Sequence, residues 1–261
     1  MPEPAAPDQQ QYWNQNLDTQ NLGNSASADN YNYQRELAFY FTPDQQYALE
    51  QMGKPAGKCI LEIGAGLGTN SLYLASQGAK MIAMDIAHDR LALLRTRAAT
   101  ELADAAPRLH VIKAQAEHLP FRRDAFDVIY SKSVLIHTQI ETVVPEINRT
   151  LKPGGLGTFI EPMTRNPFVN LYRRTLAPKI WQSIARYFGE PEFALFRTGF
   201  PSMSTRFFYL TGFLAFGWQF AFNAPQLFRL SLTPLNALDS ALIKIPALAK
   251  RAWFAVIVVR K

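Results

Sequence analysis

The sequence predicts an α/β protein with a doubly wound, mostly parallel sheet. Short apolar runs, each about as long as a buried strand, alternate with helix-like segments between residues 59 and 161. The first of these runs leads directly into a glycine-rich turn. Parallel strands need crossover connections, which place helices on both faces of the sheet. The expected core is therefore a parallel sheet covered by helices on both sides.

Seven strands are predicted in total. The segment 69–77, between the first two, ends at Gly78, a residue type that commonly stops a helix. In the C-terminal third, residues 203–210 are the predicted sixth strand. The last strand, 252–259, is expected to be antiparallel, with Arg260 and Lys261 protecting it as an edge strand. The first five strands are predicted at residues 59–63, 80–84, 109–112, 126–130 and 157–161.

The predicted fold is thus a Rossmann-like, seven-stranded, doubly wound sheet with an antiparallel last strand and a mainly helical C-terminal cap insertion. Residues 1–53 would form a lead-in, mobile over residues 1–30, followed by cap helices. Residues 54–162 would form the Rossmann-like core. Residues 163–251 would supply the cap insertions and the sixth strand, and residues 252–261 the last strand of the core sheet.

Residues 207–228 contain no charged side chain. By length alone this run could span a membrane, but Gly, Gln, Asn and Pro residues interrupt it. Between residues 216 and 222, aromatic residues alternate with small or polar ones, which offers a second position for the sixth strand. An apolar lid, or a patch that dips into a bilayer, is favoured over a spanning helix.

Composition excludes several classes of protein. Apolar residues make up 48% of the chain and charged residues 18%, which is too apolar for a disordered protein. The single cysteine, Cys59, excludes a disulfide framework and a multi-cysteine zinc site. Residues 1–34 are polar and lack the pattern of a signal peptide, so the expected location is the cytoplasm.

The charge is unevenly distributed along the chain. Residues 1–162 carry 14 Lys/Arg against 18 Asp/Glu, a net −4, whereas residues 163–261 carry 13 against 3, a net +10. The second part also holds 19 of the 32 aromatic residues. A basic, aromatic surface can face nucleic acid, anionic lipid or an acidic substrate. No nucleic-acid-binding motif is present in the sequence, so no nucleic-acid partner is expected.

The glycine turn is the main chemical signal. Residues 61–69 read LEIGAGLGT, so a strand runs into Gly64, Gly66 and Gly68, and a helix opens at Thr69. Glycines let the backbone turn sharply and approach a ligand, and the helix N-terminus offers unpaired N–H groups. The turn also satisfies a loose nicotinamide-cofactor pattern, so two classes of cofactor compete at this point.

Acidic residues on neighbouring strands, together with a polar loop, distinguish the two classes of cofactor. Glu62 lies inside the first strand, where a buried carboxylate needs a polar partner. Asp85 ends the second strand, in position to accept from both ribose hydroxyls of a nucleoside. The loop at 114–121 offers a polar edge where an adenine would lie. A dinucleotide enzyme would explain Asp85, but not Glu62 or this loop.

The stretch from about residue 58 to 161 resembles the class I S-adenosylmethionine-dependent methyltransferase family, of the type that acts on small molecules. The matching motifs are LEIGAGLGT, Asp85, AEHLPF at 116–121, FDVIYSKSVLIH at 126–137 and LKPGG at 151–155. The resemblance implies S-adenosylmethionine as the cofactor. Gln115 is a departure, since Asp is common there, but its amide oxygen can also accept a hydrogen bond. The cofactor-binding residues that the resemblance implies are Glu62, Gly64, Ala65, Gly66, Gly68, Asp85, Ile86, Gln115, Ala116, Glu117 and Ser131.

His137 follows the fourth strand and is the candidate catalytic base, because ligands of such sheets bind at the carboxyl ends of the strands. The alternative is that His137 only packs, or donates a hydrogen bond, at the methyl end of the cofactor. Lys132 is a further candidate contact of the cofactor, with a solvated side chain as its alternative. Aromatic residues of the N-terminal segment, which pack in the core or close over the pocket, are Trp13, Tyr31, Tyr33 and Tyr40. The four histidines lack metal-ligand spacing, so no metal site is expected.

The leading hypothesis is a methyltransferase with a small, apolar acceptor such as a lipid, prenyl or polyketide-like compound, because Phe and Trp are abundant in the cap. The alternatives are an NAD(P)-dependent oxidoreductase and a catalytically silent binding module with the same fold. A further hypothesis is peripheral membrane contact through the basic aromatic C-terminal region. No pattern in the sequence indicates an oligomeric state.

Overall fold

The computed structural model describes residues 6–15, 42–175, 177 and 185–261. Seven strands in these residues form one sheet in the order β3-β2-β1-β4-β5-β7-β6. Strands β1 to β5 run parallel to one another, whereas β7 is antiparallel to both β5 and β6. The strands are β1 (Cys59–Ile63), β2 (Lys80–Asp85), β3 (Leu109–Lys113), β4 (Phe126–Lys132), β5 (Leu151–Pro162), β6 (Ser202–Phe208) and β7 (Phe254–Arg260).

Helices cover both faces of the sheet, as the sequence predicts. Their bounds are α1 (Ala6–Gln15), α2 (Pro43–Met52), α3 (Thr69–Ser76), α4 (His88–Glu101), α5 (Ile140–Thr150), α6 (Pro167–Thr175), α7 (Glu190–Gly199), α8 (Phe216–Phe220), α9 (Pro225–Leu242) and α10 (Pro246–Ala249). Apolar side chains of α2, α3, α4 and α9 form the core on one face, and those of α5 and α7 form the core on the other. The predicted doubly wound architecture is confirmed.

Local sequence explains these elements. In β1 the four residues from Ile60 to Ile63 are buried, as expected for a central parallel strand covered on both faces. Helix α5 places Ile140, Val143, Val144 and Ile147 on one buried stripe at helical spacing. After α3, Gly78 turns the chain with a φ of +91°, which favours glycine.

The edge of the sheet differs from the prediction. Strand β7 lies between β5 and β6, and β6 is the edge strand. The reason is visible in the burial: residues 255–259 are all buried, whereas β6 alternates between more and less exposed residues. Lys261 is not an edge guard, because its Nζ lies 2.7 Å from Asp124 Oδ1 and donates to the carbonyl oxygen of Leu151.

Two further expectations need correction. Residues 6–15, expected to belong to a mobile lead-in, form helix α1, which contacts α4. The alternation at 216–222, offered as a second position for the sixth strand, does not form a strand, since residues 216–220 are helix α8. The run 207–228 instead spans the end of β6, helix α8 and the start of α9. In the residues that the structure describes, no helix combines the length and the apolar character that crossing a membrane requires.

Candidate cofactor-binding site

The glycine turn joins β1 to α3 through three left-handed residues. Gly64, Gly66 and Gly68 have φ values of +72°, +53° and +82°. A Cβ on Gly64 would lie 2.2 Å from a methyl group of Val134, and one on Gly68 would lie 1.9 Å from a methyl group of Leu94. Those two glycines are therefore required by packing as well as by their backbone conformation.

Gly66 differs from the other two glycines. The atom nearest to a Cβ built there is Nη1 of Arg90, at 3.5 Å, which is ordinary van der Waals contact. With respect to the residues that the structure describes, the backbone at Gly66 is thus open on this side, beside a guanidinium group. A turn that is tightly packed at both ends and open in the middle is suited to a close approach by a ligand.

Asp85 at the end of β2 holds this turn in place. Its Oδ2 accepts from the N–H of Gly66 at 2.8 Å, and its Oδ1 accepts from the N–H of Ala87 at 2.8 Å. The carbonyl oxygen of Met84 accepts from the N–H groups of Gly64 and Ala65. The carboxylate predicted to hold a ribose therefore lies directly against the glycine turn. Ile86, next to it, is half-buried.

Glu62 is buried and part of a hydrogen-bond network. Its carboxylate accepts from the Ser71 hydroxyl and, at 3.0 Å, from Asn70 Nδ2. Burial raises its pKa to about 7, although both hydrogen bonds oppose the shift. The network continues from Asn70 to Gln45 Nε2 at 2.9 Å, and from Gln45 Oε1 to the hydroxyl of Tyr130 at 2.8 Å. Helix α2 is thereby connected to the start of the glycine turn.

The same network reaches the end of β4. Lys132 Nζ lies 3.4 Å from Gln45 Oε1 and 3.7 Å from Asp44 Oδ2. The hydroxyl of Tyr209 donates to the Asp44 carboxylate, and burial raises the pKa of Tyr209 well above its usual value. The sequence offers a solvated side chain as the alternative for Lys132. In the structure this side chain is half-buried in a polar cluster.

The sequence did not point to Glu161, which is fully buried at the end of β5. Its Oε1 accepts from the N–H of Leu135 at 3.0 Å and of Val134 at 3.2 Å, and Ser131 Oγ lies 3.4 Å away. Burial raises its pKa to about 8 against these hydrogen bonds. Glu161 therefore fixes the turn at 134–136 that precedes His137. An acidic residue inside an apolar strand, the same signal that singled out Glu62, could have identified it.

His137 lies next to helix α1. The ring of Trp13 contacts that of His137 edge to face, with 5.2 Å between the centroids. On its other side, the guanidinium of Arg90 lies 4.7 Å from the Trp13 ring, and Arg90 Nε donates to the Trp13 carbonyl at 3.0 Å. Arg90 Nη1 also lies 3.5 Å from a Cβ built on Gly66, so Trp13 lies between His137 and a side chain that borders the glycine turn. Tyr31, Tyr33 and Tyr40 lie outside the described residues.

The loop after β3 contributes the remaining predicted residues. Gln115 is exposed, Ala116 is buried and Glu117 is half-buried. Glu117 Oε1 accepts from the N–H of Gln139 at 3.0 Å, which connects this loop to the start of α5. Ser131 is buried and directed at Glu161, so its side chain lies on the opposite side of β4 from Lys132. Across the described ranges, no three His, Cys, Asp or Glu side chains are grouped as a metal ion would need.

The fold and the glycine turn are those of Rossmann-like proteins, a class that binds nucleotide-type cofactors at the carboxyl ends of the strands. Residues 61–159 match a family described as "Methyltransferase domain". This region of the chain is therefore similar to the methyltransferase domains of S-adenosylmethionine-dependent enzymes.

Two curated relatives illustrate the similarity. The chain is 34% identical over 137 residues to a demethylmenaquinone methyltransferase of Clavibacter sepedonicus, covering 48% of this chain and 51% of the relative. It is 28% identical over 164 residues to a sterol 24-C-methyltransferase of Pneumocystis carinii, covering 60% of this chain and 43% of the relative. The matched region thus spans about half the length of these relatives.

Among solved structures, a geranyl diphosphate C-methyltransferase from Streptomyces coelicolor A3(2) superposes with a TM-score of 0.63 at 10% sequence identity, over 99% of both chains. That structure was determined with Mg²⁺, geranyl diphosphate and S-adenosyl-L-homocysteine bound. At this identity the likeness shows a common fold. It includes the C-terminal elements as well as the sheet, since both chains are covered almost completely.

Proposed function

We propose that this protein transfers a methyl group from S-adenosylmethionine to a small, apolar acceptor. The observation that carries the proposal is the glycine turn, which is open at Gly66 and held there by Asp85. The rival nicotinamide-dependent oxidoreductase would also use the turn and Asp85. It gives no role to Glu62 and its network, or to the loop at 114–121.

The residues present fit S-adenosylmethionine. Each oxygen of Asp85 accepts one backbone N–H and retains capacity for a ribose hydroxyl, because a carboxylate oxygen has two lone-pair sites. The open backbone at Gly66, beside Gly64, Ala65 and Gly68, would hold the methionine part. Glu62 would support that part of the turn, and Ile86, Gln115, Ala116 and Glu117 would border the adenine. Ser131 would act indirectly, by supporting Glu161.

The bound cofactor supplies an electrophilic methyl group on a sulfonium, and displacement there needs alignment and exclusion of water more than acid or base groups. The chain's contribution would be to align and cover the reactants. Helix α1, through Trp13, would cover the site between the glycine turn and His137. Residues 54–162 would then form the cofactor domain, and residues 163–251 the cap that receives the acceptor.

An apolar acceptor is supported by the composition of the cap and by the relatives. The C-terminal part holds 19 of the 32 aromatic residues. The two curated relatives are named for a quinone and a sterol, and the solved structure holds a prenyl diphosphate. We therefore propose a lipid, prenyl or polyketide-like acceptor for this chain.

The test is transfer of a labelled methyl group from S-adenosylmethionine to a panel of apolar and polar acceptors. We expect turnover with at least one isoprenoid, quinone or polyketide-like compound, and loss of turnover in Asp85→Ala. Binding of S-adenosylmethionine without turnover on any acceptor would instead favour the silent binding module. Turnover confined to polar acceptors would contradict the proposed acceptor class.

His137 is the proposed general base, with packing against Trp13 as the alternative. The two roles differ in the His137→Ala variant. A base predicts a large fall in kcat, roughly 100-fold or more, with unchanged cofactor affinity. Packing predicts a weaker cofactor complex, and a His137→Gln variant that restores most of the activity because it fills a similar volume.

A further inference from the structure

The exposed apolar surface of this protein is concentrated in one part of the chain. All strongly exposed large apolar side chains in the described residues lie between positions 168 and 245. The most exposed are Leu230 at 73%, Phe222 at 69% and Phe168 at 64%. Single exposed apolar residues are ordinary, but a concentration of them marks an interaction surface.

Helix α9 has two apolar faces. Phe228 and Leu232 face inward and are buried in the core. Leu227, Leu230 and Leu238 follow each other at spacings of three and eight residues, which places them on one outward face. A helix that needed only to cover the core would carry polar residues there. The outward face is therefore available for a second apolar contact.

Neighbouring elements extend this face. The ring of Phe168, in α6, stacks on Phe213 with 5.6 Å between centroids. Asp239 of α9 accepts from the N–H groups of Thr211 at 2.7 Å and Gly212 at 3.0 Å. The turn at 212–215 thereby joins α6 to α9. We refer to α6, residues 212–215 and helices α8, α9 and α10 as the docking face.

A basic cavity borders the docking face at α10. A surface cavity of about 620 Å³ is lined by Arg165, Pro246, Ala247, Lys250 and Arg251, all of them exposed. Arg165 lies just before α6, and the other four residues lie in or just after α10. Three cations thus line this cavity, and the exposed Ile245 and Phe168 are close in the chain to its lining residues Pro246 and Arg165.

No exposed carboxylate balances these cations on the described parts of the docking face. The sequence has only three acidic residues after position 162, namely Glu190, Glu192 and Asp239. Asp239 is buried and holds the turn at 211–212. Glu192 is buried, and Glu190 pairs with Arg197 within α7. The docking face consequently carries exposed apolar side chains and is bordered by cations that no exposed carboxylate of the described parts of this face balances.

We propose that the docking face binds the surface of a bilayer that contains anionic lipids. Helix α9 would lie in the interface plane with its outward leucines among the acyl chains, and Arg165, Lys250 and Arg251 would contact lipid phosphates. A second copy of the chain fits less well, because a symmetric contact would bring two cationic faces together. The inference rests on this surface alone and does not depend on the proposed methyl transfer.

Co-sedimentation of the full chain with vesicles tests the inference. We expect binding to vesicles of phosphatidylcholine with phosphatidylglycerol, weaker binding in high salt, and little binding to phosphatidylcholine alone. Each basic residue near an anionic surface contributes roughly fivefold to partitioning, so the double variant Lys250→Glu/Arg251→Glu should bind at least about 25-fold more weakly. Leu230→Ser/Leu238→Ser should also lose binding.

The matched control is Arg122→Glu/Arg123→Glu, which changes the charge equally at exposed positions before β4 and should keep binding. Equal losses in both charge variants, or equal binding to both kinds of vesicle, would overturn the inference. So would a dimer that Leu230→Ser/Leu238→Ser converts to a monomer without any effect on lipid binding. Titration of each variant with S-adenosylmethionine shows separately whether the cofactor site is intact.

Discussion

Asp85 is the residue on which cofactor binding is expected to depend most. Replacing it with Asn removes the negative charge and one of the acceptors that hold the N–H groups of Gly66 and Ala87. A hydrogen bond to a charged group contributes roughly 1.5–3 kcal/mol, so Asp85→Asn should weaken S-adenosylmethionine binding about 10- to 100-fold by calorimetry. Asp89→Asn, at an exposed position of α4, is the control and should bind normally. Equal affinities of the two variants for S-adenosylmethionine would show that Asp85 does not contribute to cofactor binding.

The raised pKa of Glu161 predicts that the stability of the fold depends on pH. Its carboxyl is protonated up to a pKa of about 8 in the folded chain, against a usual value of 4.5. Between these values the folded state holds a proton that the unfolded state has lost, so the residue's contribution to stability falls as pH rises from about 5 to 8.

The Glu161→Gln variant should lack this dependence. Relative to the variant, the wild type should lose at least about 3 °C of melting temperature between pH 5 and pH 8 in thermal unfolding. Glu50→Gln, at an exposed position of α2, should track the wild type throughout. A constant difference between wild type and Glu161→Gln over this range would show that Glu161 is ionised in the fold.

At the residue scale, the sequence predicted the glycine turn and Asp85 as site residues because each directly follows or ends an apolar strand. It missed Glu161 and Gln45, whose partners lie 26 and 85 residues away. The pairing of β4 with β5 brings Glu161 to its partners, and the packing of α2 on the sheet brings Gln45 to Tyr130. Long-range polar contacts of this kind require the three-dimensional arrangement.

Helix α1 is expected to contribute to cofactor retention through Trp13. Loss of its edge contact with His137 and of its contact with Arg90 should weaken S-adenosylmethionine binding several-fold, since such contacts are worth about 0.5–1.5 kcal/mol each. Calorimetry on Trp13→Ala tests this. Gln11→Ala, exposed on the same helix, should behave as wild type. If Trp13→Ala retained full affinity, α1 would have no part in the site.

The elements of the core were predictable because each follows from local sequence. Buried parallel strands read as apolar runs, and the bounds of the observed strands differ from the predicted ones by two residues at most, except for β5. Helix α1 was not predictable in this way, because its sequence has no hydrophobic period and few of its residues are apolar. Its contacts are made by Trp13 and Asn14 to α4, which is far away in the chain.

The order of the last two strands shows what whole-molecule packing adds. The sequence predicted the last strand at the edge because Arg260 and Lys261 follow it, and this prediction is wrong. In the fold, the continuous apolar run of β7 occupies the interior and the alternating β6 faces solvent. The long insertion between them, residues 209–253, contributes α9 to the core on one face of the sheet and holds 8 of the 19 aromatic residues found after position 162.

Calorimetric titration of the full chain with S-adenosylmethionine, and in parallel with NAD⁺, tests the assignment of the cofactor most directly. The open turn at Gly66, fixed by Asp85, predicts saturable binding of one S-adenosylmethionine per chain and no comparable binding of NAD⁺. Tight binding of NAD⁺ with no binding of S-adenosylmethionine would contradict it.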